Sequence, residues 1–308
     1  MDRAMAEANR RYLSSGITSL QDATADHGLD RWRLLGGFKA NAVLRPRLAM
    51  MVDPGQVGEF RQRGLEARAD DNEMRLAAAK VMVTESTGST FPPQEELGRL
   101  VLGIHRAGGQ VAIHAIEESA VSAALSAVEY AVAMDPRPGH RHRIEHCSES
   151  SPALLERLKS TGAMIITQPP FIYYSGDRYL AQVPVARQPA LYRIGSFWRA
   201  GIIAAASSDS PVVPIDPLAG IYAAVTRKTK NGRSITPQEA ISPAQALAMY
   251  TANAACATFE ENVKGTIAPG MLADLAVLSA DPTTAPLEAI KDIVVERTLV
   301  GGEVVWNR

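Results

Sequence analysis

"RHRIEHCSES" (residues 141–150) follows a Pro/Gly break between Pro136 and Gly139 and precedes an amphipathic stretch from Ser151. Only Ile144 in RHRIEH is strongly apolar, yet the run has the length and flanking breakers of a short strand. Similar short runs recur along the chain: TSLQD (18–22), RLAMMV (47–52), KVMVTE (80–85), VAIHAI (111–116), AMIITQ (163–168) and IIAAASSD (202–209). Helical patterns separate them. PPQEELGRLVLGIHRAGG (92–109) has Pro near its start, acids in its first turn and Gly at its end. ESAVSAALSAVEYAVAM (118–134) has apolar residues at helical spacing, and SPALLERLKSTGA (151–163) opens with Ser151 as N-cap and Pro152 at the first helical position. Strand–helix alternation with continuous apolar strands predicts a parallel sheet covered by helices, a (β/α) barrel or a doubly wound sheet. No GxGxxG follows the first strand and no GxxxxGK[ST] occurs, which removes support for nucleotide binding.

The last fifty residues differ. SPAQALAMYTANAACATF (242–259) reads as one more helix, and GTIAPGMLADLAVLSADP (265–282) and VVERTLVGGEVVW (294–306) read as short strands with Gly turns. This predicts a barrel domain over 1–260 and a small β-segment over 261–308. The whole chain of 308 residues is long enough for one such barrel. Its formal charge of −1 argues against a nucleic-acid or anionic-membrane partner. Two distant cysteines, Cys147 and Cys256, form no disulfide framework and suggest a reducing compartment. No run approaches the length of a membrane span, and the charged start MDRAMAEANRRY lacks a signal-peptide pattern. A cytoplasmic enzyme acting on a small molecule is the expectation.

Active sites of parallel α/β folds lie at the C-terminal strand ends. His114 lies in VAIHAI, His146 ends HRIEH, Asp209 ends IIAAASSD, and Lys80 lies in AAAKVMV. His114 follows Lys80 by 34 residues and precedes His146 by 32, one β/α unit each, so neighbouring strands would bring the three together. Taken singly, each has a plain reading: a satisfied core histidine, a turn-capping aspartate, a snorkelling surface lysine. Four ionisable groups at equivalent strand ends are harder to explain as packing. Two imidazoles plus carboxylates suit zinc or a similar divalent ion, with Asp209 taking a proton from activated water. His27, His105, His140 and His142 lack this placement and are assigned to the surface or to loops. Ile144 is expected against the helix layer, with Arg143 and Glu145 on alternate faces and one of them bracing the ligands.

HAIEESAVSAAL, RHRIEH, TQPPF, SSDSPV, the YTANAA helix and GTIAPGMLADLAVLSADP, in this order, resemble the amidohydrolase superfamily. The nearest branch is amidohydrolase-3, YtcJ-like, with the N-substituted formamide deformylases. The resemblance runs from about Gly16 to the C-terminus. It implies a (β/α)8 barrel, plus a small β-sandwich, that hydrolyses C–N bonds with one or two metals. By that resemblance His114, His146 and Asp209 are metal ligands and Asp209 the general base. Lys80 matches a fourth-strand lysine that is carbamylated in many members. Thr84-Glu85-Ser86 stands where the family often has Asp-Gly. No His-x-His precedes Gly16, and His140-Arg-His142 lies in the wrong place for the family's first-strand pair. The expectation is therefore a TIM-like barrel lacking its first strand, a chain truncated at its N-terminus, and at most one metal ion. Unpaired strand edges predict instability or closure as a homo-oligomer. A catalytically impaired fragment or pseudoenzyme is the alternative, and a Schiff-base lyase using Lys80 the third. PPFIYYSGDRYL (169–180) is expected as a loop over the pocket, with Gln168, Tyr173, Tyr174, Asp177 and Arg178 as substrate contacts.

Overall fold

Seven of the short runs become parallel strands, each bounded by breaker or polar residues and too short for a helix. The computed structural model describes residues 2–65, 73–86 and 89–308. Its strands are β1 Ser19–Asp22, β2 Arg47–Val52, β3 Met74–Met82, β4 Thr84–Ser86, β5 Ser89–Phe91, β6 Val111–Ala115, β7 Arg143–His146, β8 Met164–Thr167, β9 Ala204–Ala206, β10 Leu275–Leu278, β11 Val295–Val300 and β12 Glu303–Asn307. The helices are α1 Asp2–Ser14, α2 Leu29–Ala40, α3 Val57–Gln62, α4 Gln94–Arg106, α5 Glu118–Met134, α6 Pro152–Thr161, α7 Pro169–Gln182, α8 Ile194–Arg199, α9 Pro217–Thr226, α10 Pro243–Tyr250 and α11 Ala252–Ala257.

The main sheet runs β1-β2-β3-β6-β7-β8-β9, parallel throughout and in chain order. It curls. Four inter-strand steps separate β1 from β7, about 19 Å in a flat sheet, yet Arg143 on β7 donates to Gln21 Oε1 on β1 at 2.8 Å. Small side chains line the inside of the curl: Ala49, Met51, Ala77, Ala78 and Ala112 form one cluster. Met164, Ile166, Ala205 and Ala257 form another, and Ala257 places the end of α11 against it. The larger core lies between the sheet and its helices. Among the described residues β1 and β9 each have one neighbour, so the barrel is open between them.

Several local readings survive in detail. Ser151 Oγ accepts the Leu154 N–H at the start of α6, whose end is set by Gly162 at φ 68°. Two do not. Residues 242–259 are two helices rather than one, broken at Thr251 with φ −124° and ψ −94°. Residues 169–180 are helix α7 rather than a loop: Pro169 and Pro170 fill the first two helical positions, where a missing N–H costs nothing.

The C-terminal strands form a separate antiparallel sheet with β11 central. Thr298 Oγ1 donates to Leu13 O of α1 at 2.6 Å. Arg47, at the start of β2, bonds both carboxylate oxygens of Asp274, which also accepts the Gly301 N–H. The main sheet and the small sheet are thus joined by a buried ion pair.

Candidate active site

Register decides which side chains meet. Lys80 on β3 and Arg143 on β7 both lie beside Ala112 of β6, and His114 lies beside Glu145. Residues side by side share a face, and so do residues two apart. Lys80, Ala112, His114, Arg143 and Glu145 therefore all point into the curl. Arg143 and Glu145 are on the same face, not alternate ones as the sequence reading had it. They form an ion pair at 3.0 Å, buried to within a few percent.

His146 is the exception to the pleat. Its neighbour across the sheet is Ala115, so regular alternation would send it outward. Its φ of +73°, followed by +47° at Cys147, turns the ring back. Such angles are uncommon outside glycine and cluster at functional positions. The result is a T-shaped pair of imidazoles, His114 and His146, with centroids 4.5 Å apart and planes at 74°. His146 Nδ1 is 2.9 Å from Gln168 Oε1.

Burial pushes the His114 imidazole down to about 4, helped by the nearby His146 and Lys80. It is neutral near pH 7, the state in which imidazole donates a lone pair. Lys80 is buried, not a snorkelling surface lysine. Desolvation lowers its pKa, against the pull of the Glu145 carboxylate, with Arg143 adding to the fall and Asp209 opposing it. Asp209, half-buried at φ 52°, lies three residues past β9, where its N–H donates to Ser207 Oγ. Its carboxylate makes no hydrogen bond or ion pair with either imidazole among the described contacts. The donor set suits a divalent ion in kind, two imidazoles, and falls short in number. Among the described residues no three His, Cys, Asp or Glu side chains are arranged to hold one.

The proposed substrate contacts lie elsewhere than on a loop. Gln168 is 2% exposed and caps α7. Tyr173 packs edge-on against Tyr174 and Tyr222, and Tyr174 Oη donates to Asp216 at 3.4 Å. Asp177 faces Arg233 at 3.7 Å, and Arg178 lies over the Tyr179 ring. Cys147 is buried, its thiol pushed up to about 12, and offers no nucleophile. The sequence reading missed the roles of Gln21 and Met51, which both contact the Arg143 guanidinium. Of the four histidines assigned to the surface or to loops, His27, His140 and His142 do lie in loops and His105 lies in α4, and all four are buried.

Similarity to known proteins agrees with this architecture. Residues 1–306 match the amidohydrolase family profile. YtcJ of Bacillus subtilis (strain 168) is 30% identical over 226 residues, 72% of this chain and 42% of that protein. N-substituted formamide deformylase of Arthrobacter pascens is 27% identical over 222 residues, 72% of this chain and 41% of that protein. The chain thus spans about two fifths of the length of these relatives. An uncharacterized metal-dependent hydrolase from Pyrococcus horikoshii OT3 superposes with a TM-score of 0.79 at 25% identity, covering 92% of this chain and 60% of that one. No helix among the described residues is long and apolar enough to cross a membrane. By sequence and by fold, this chain belongs to the amidohydrolase family.

Proposed function

We propose that the chain acts as a hydrolase of carbon–nitrogen bonds in amide-like small molecules, with His114 and His146 holding one divalent ion, zinc. Lys80 and Asp209 are the remaining candidates to complete its ligands. The observation that carries this reading is the imidazole pair, turned face to edge at the strand ends, with His114 kept neutral by burial. When bound, the ion supplies an acidified water and stabilises negative charge on a carbonyl oxygen. The chain's own residues do the rest. Asp209, partly open to solvent, accepts the proton. Lys80 is desolvated, which lowers its pKa in the direction that carbamylation would need, against the opposing pull of Glu145. Glu145 is held in place by Arg143. Similarity to N-substituted formamide deformylase makes small N-substituted amides the first substrates to assay. The open edges β1 and β9 support assembly as a homo-oligomer, checked by solution mass.

Metal content of the purified chain, His114→Ala and His146→Ala tests the assignment. Stoichiometric zinc in wild type and its loss in both variants is the expected result. Equal metal in all three would sink it. A second reading, a chain that does not hydrolyse, is favoured by the short ligand set among the described residues. No turnover from a chain that holds its zinc would establish it.

A further inference from the structure

We propose that Gln168 is a positioning residue that holds His146 as its Nδ1–H tautomer and so turns the Nε2 lone pair toward the site. A glutamine amide oxygen can only accept, so a hydrogen bond at 2.9 Å places the proton on His146 Nδ1. In a neutral ring Nε2 is then the unprotonated nitrogen. His146 is 6% exposed and Gln168 2%, so water competes little for the contact. Gln168 is also hard to move. It is the N-cap of α7 and is followed at once by Pro169 and Pro170, which fix the next two φ angles, while its carbonyl accepts the Phe171 N–H. The opposite constraint on the ring is His114, packed at 74° with centroids 4.5 Å apart.

The molecule contains its own contrast. In His142, four residues earlier, Nδ1 accepts the Val111 N–H at 3.1 Å, so that ring carries its proton on Nε2. His140 Nδ1 likewise accepts the His142 N–H at 2.9 Å. His146 is thus protonated on the opposite nitrogen from its two neighbours along the chain. Gln168 therefore acts through His146. The consequence for the site rests on the reading of His146 as a metal-binding imidazole. The tautomer itself does not.

The experiment is long-range 1H–15N correlation on the full chain, metal-free and labelled with 15N-histidine, at pH 8. The His146 signals are assigned by their loss in His146→Ala. The expected wild-type pattern has a protonated Nδ1 and a bare Nε2 at His146, and the reverse at His140 and His142. Gln168→Leu should return His146 to Nε2–H. Gln168→Glu, which keeps an acceptor, should retain Nδ1–H. Unchanged His140 and His142 signals certify the fold of either variant. Should Gln168→Leu fail to fold, the wild-type and Gln168→Glu spectra still decide. Nε2–H at His146 in the wild type overturns the proposal, and so does Nδ1–H persisting in folded Gln168→Leu. Adding Zn2+ to the same samples separates the two claims. The affinity of Gln168→Leu for Zn2+ should be about 10–100-fold weaker than wild type. A wild-type His146 Nε2 that ignores Zn2+ refutes the metal reading and leaves the tautomer standing.

Discussion

Two groups of imidazoles sit at opposite ends of the same sheet, and their nitrogens are used differently. Below the N-terminal ends of β6 and β7, His142 Nε2 meets His105 Nδ1 at 2.8 Å. His105 Nε2 meets Asp135 O at 2.7 Å, and His140 Nε2 meets Thr161 O at 2.9 Å. With the Val111 and His142 N–H groups on the two Nδ1 atoms, every ring nitrogen in this trio has a partner. Most of those partners are backbone. At the C-terminal ends His146 uses one nitrogen on Gln168, and the His114 ring makes no hydrogen bond among the described contacts. Nitrogens spent on loop backbone hold the fold. Nitrogens left over, as on the His114 ring that burial keeps neutral, are what chemistry can use.

The comparison breaks most visibly if polar groups at the upper end prove dispensable as a class, because Arg143 and Glu145 lie there too. Both are fully desolvated, with the Arg143 guanidinium spread over Glu145, Gln21 and Met51. Removing one partner leaves an uncompensated buried charge. Arg143→Met and Glu145→Gln should each cost about 3–5 kcal/mol. The double variant Arg143→Met/Glu145→Leu should recover most of that loss. Urea denaturation of the three variants measures it, and a double variant as unstable as the sum of the singles contradicts the ion-pair account.

Next in size is the lower trio. His142→Ala strands the Val111 N–H, removes one of the two partners of His105 Nδ1 and leaves a cavity, at a cost of about 3 kcal/mol. A loss below about 1 kcal/mol in the same urea experiment would mean that the network is ornamental. The trio also sets an acid limit. Burial and the neighbouring His140 and His105 push His142 from 6.5 down to about 2. The unfolded chain takes up that proton near pH 6.5 and the folded chain does not. The stability that His142 provides is therefore complete above about pH 6.5 and falls as pH drops toward 2, by about 1.4 kcal/mol per pH unit. His142→Asn, whose amide oxygen can stand in for Nδ1 on the Val111 N–H, should flatten the pH dependence between 6.5 and 4.5.

This contrast was half legible in the sequence. Strand-end placement singled out His114 and His146, and the 34- and 32-residue spacings placed Lys80 and the two imidazoles on adjacent strands. Nothing local showed that His140 and His142 are buried. They stand among Pro138, Gly139 and two arginines, a composition that reads as an exposed turn. Their burial depends on acceptors and donors more than twenty residues away, at His105, Val111 and Thr161. The shared face of Arg143 and Glu145 was within reach, since residues two apart in a strand always share one. The left-handed turn at His146 was not, because the contacts that accompany it, with His114, Gln168 and the Cys147 N–H bond to Ala115 O, join residues far apart in sequence.

The smallest expected effect is the sharpest on the comparison. His114→Ala removes a half-buried ring that has no hydrogen bond among the described contacts and stacks only on His146. Lost packing opposes the relief of a desolvated imidazole, so at pH 8 the metal-free variant should match wild type within about 1 kcal/mol. The sign changes with acid. Wild-type His114 is pushed from 6.5 down to about 4, first by burial and then by His146 and Lys80, so the unfolded chain binds a proton there that the folded chain refuses. Wild type therefore loses stability from this group as pH falls from 6.5 to 4, and the alanine variant does not. Urea midpoints for the metal-free pair should converge or cross in favour of His114→Ala between pH 6.5 and 5, while His142→Ala stays well below wild type at pH 8. A His114→Ala variant as unstable as His142→Ala at pH 8 would place both ends of the sheet under the same structural rule, and the distinction between spent and available nitrogens would go with it.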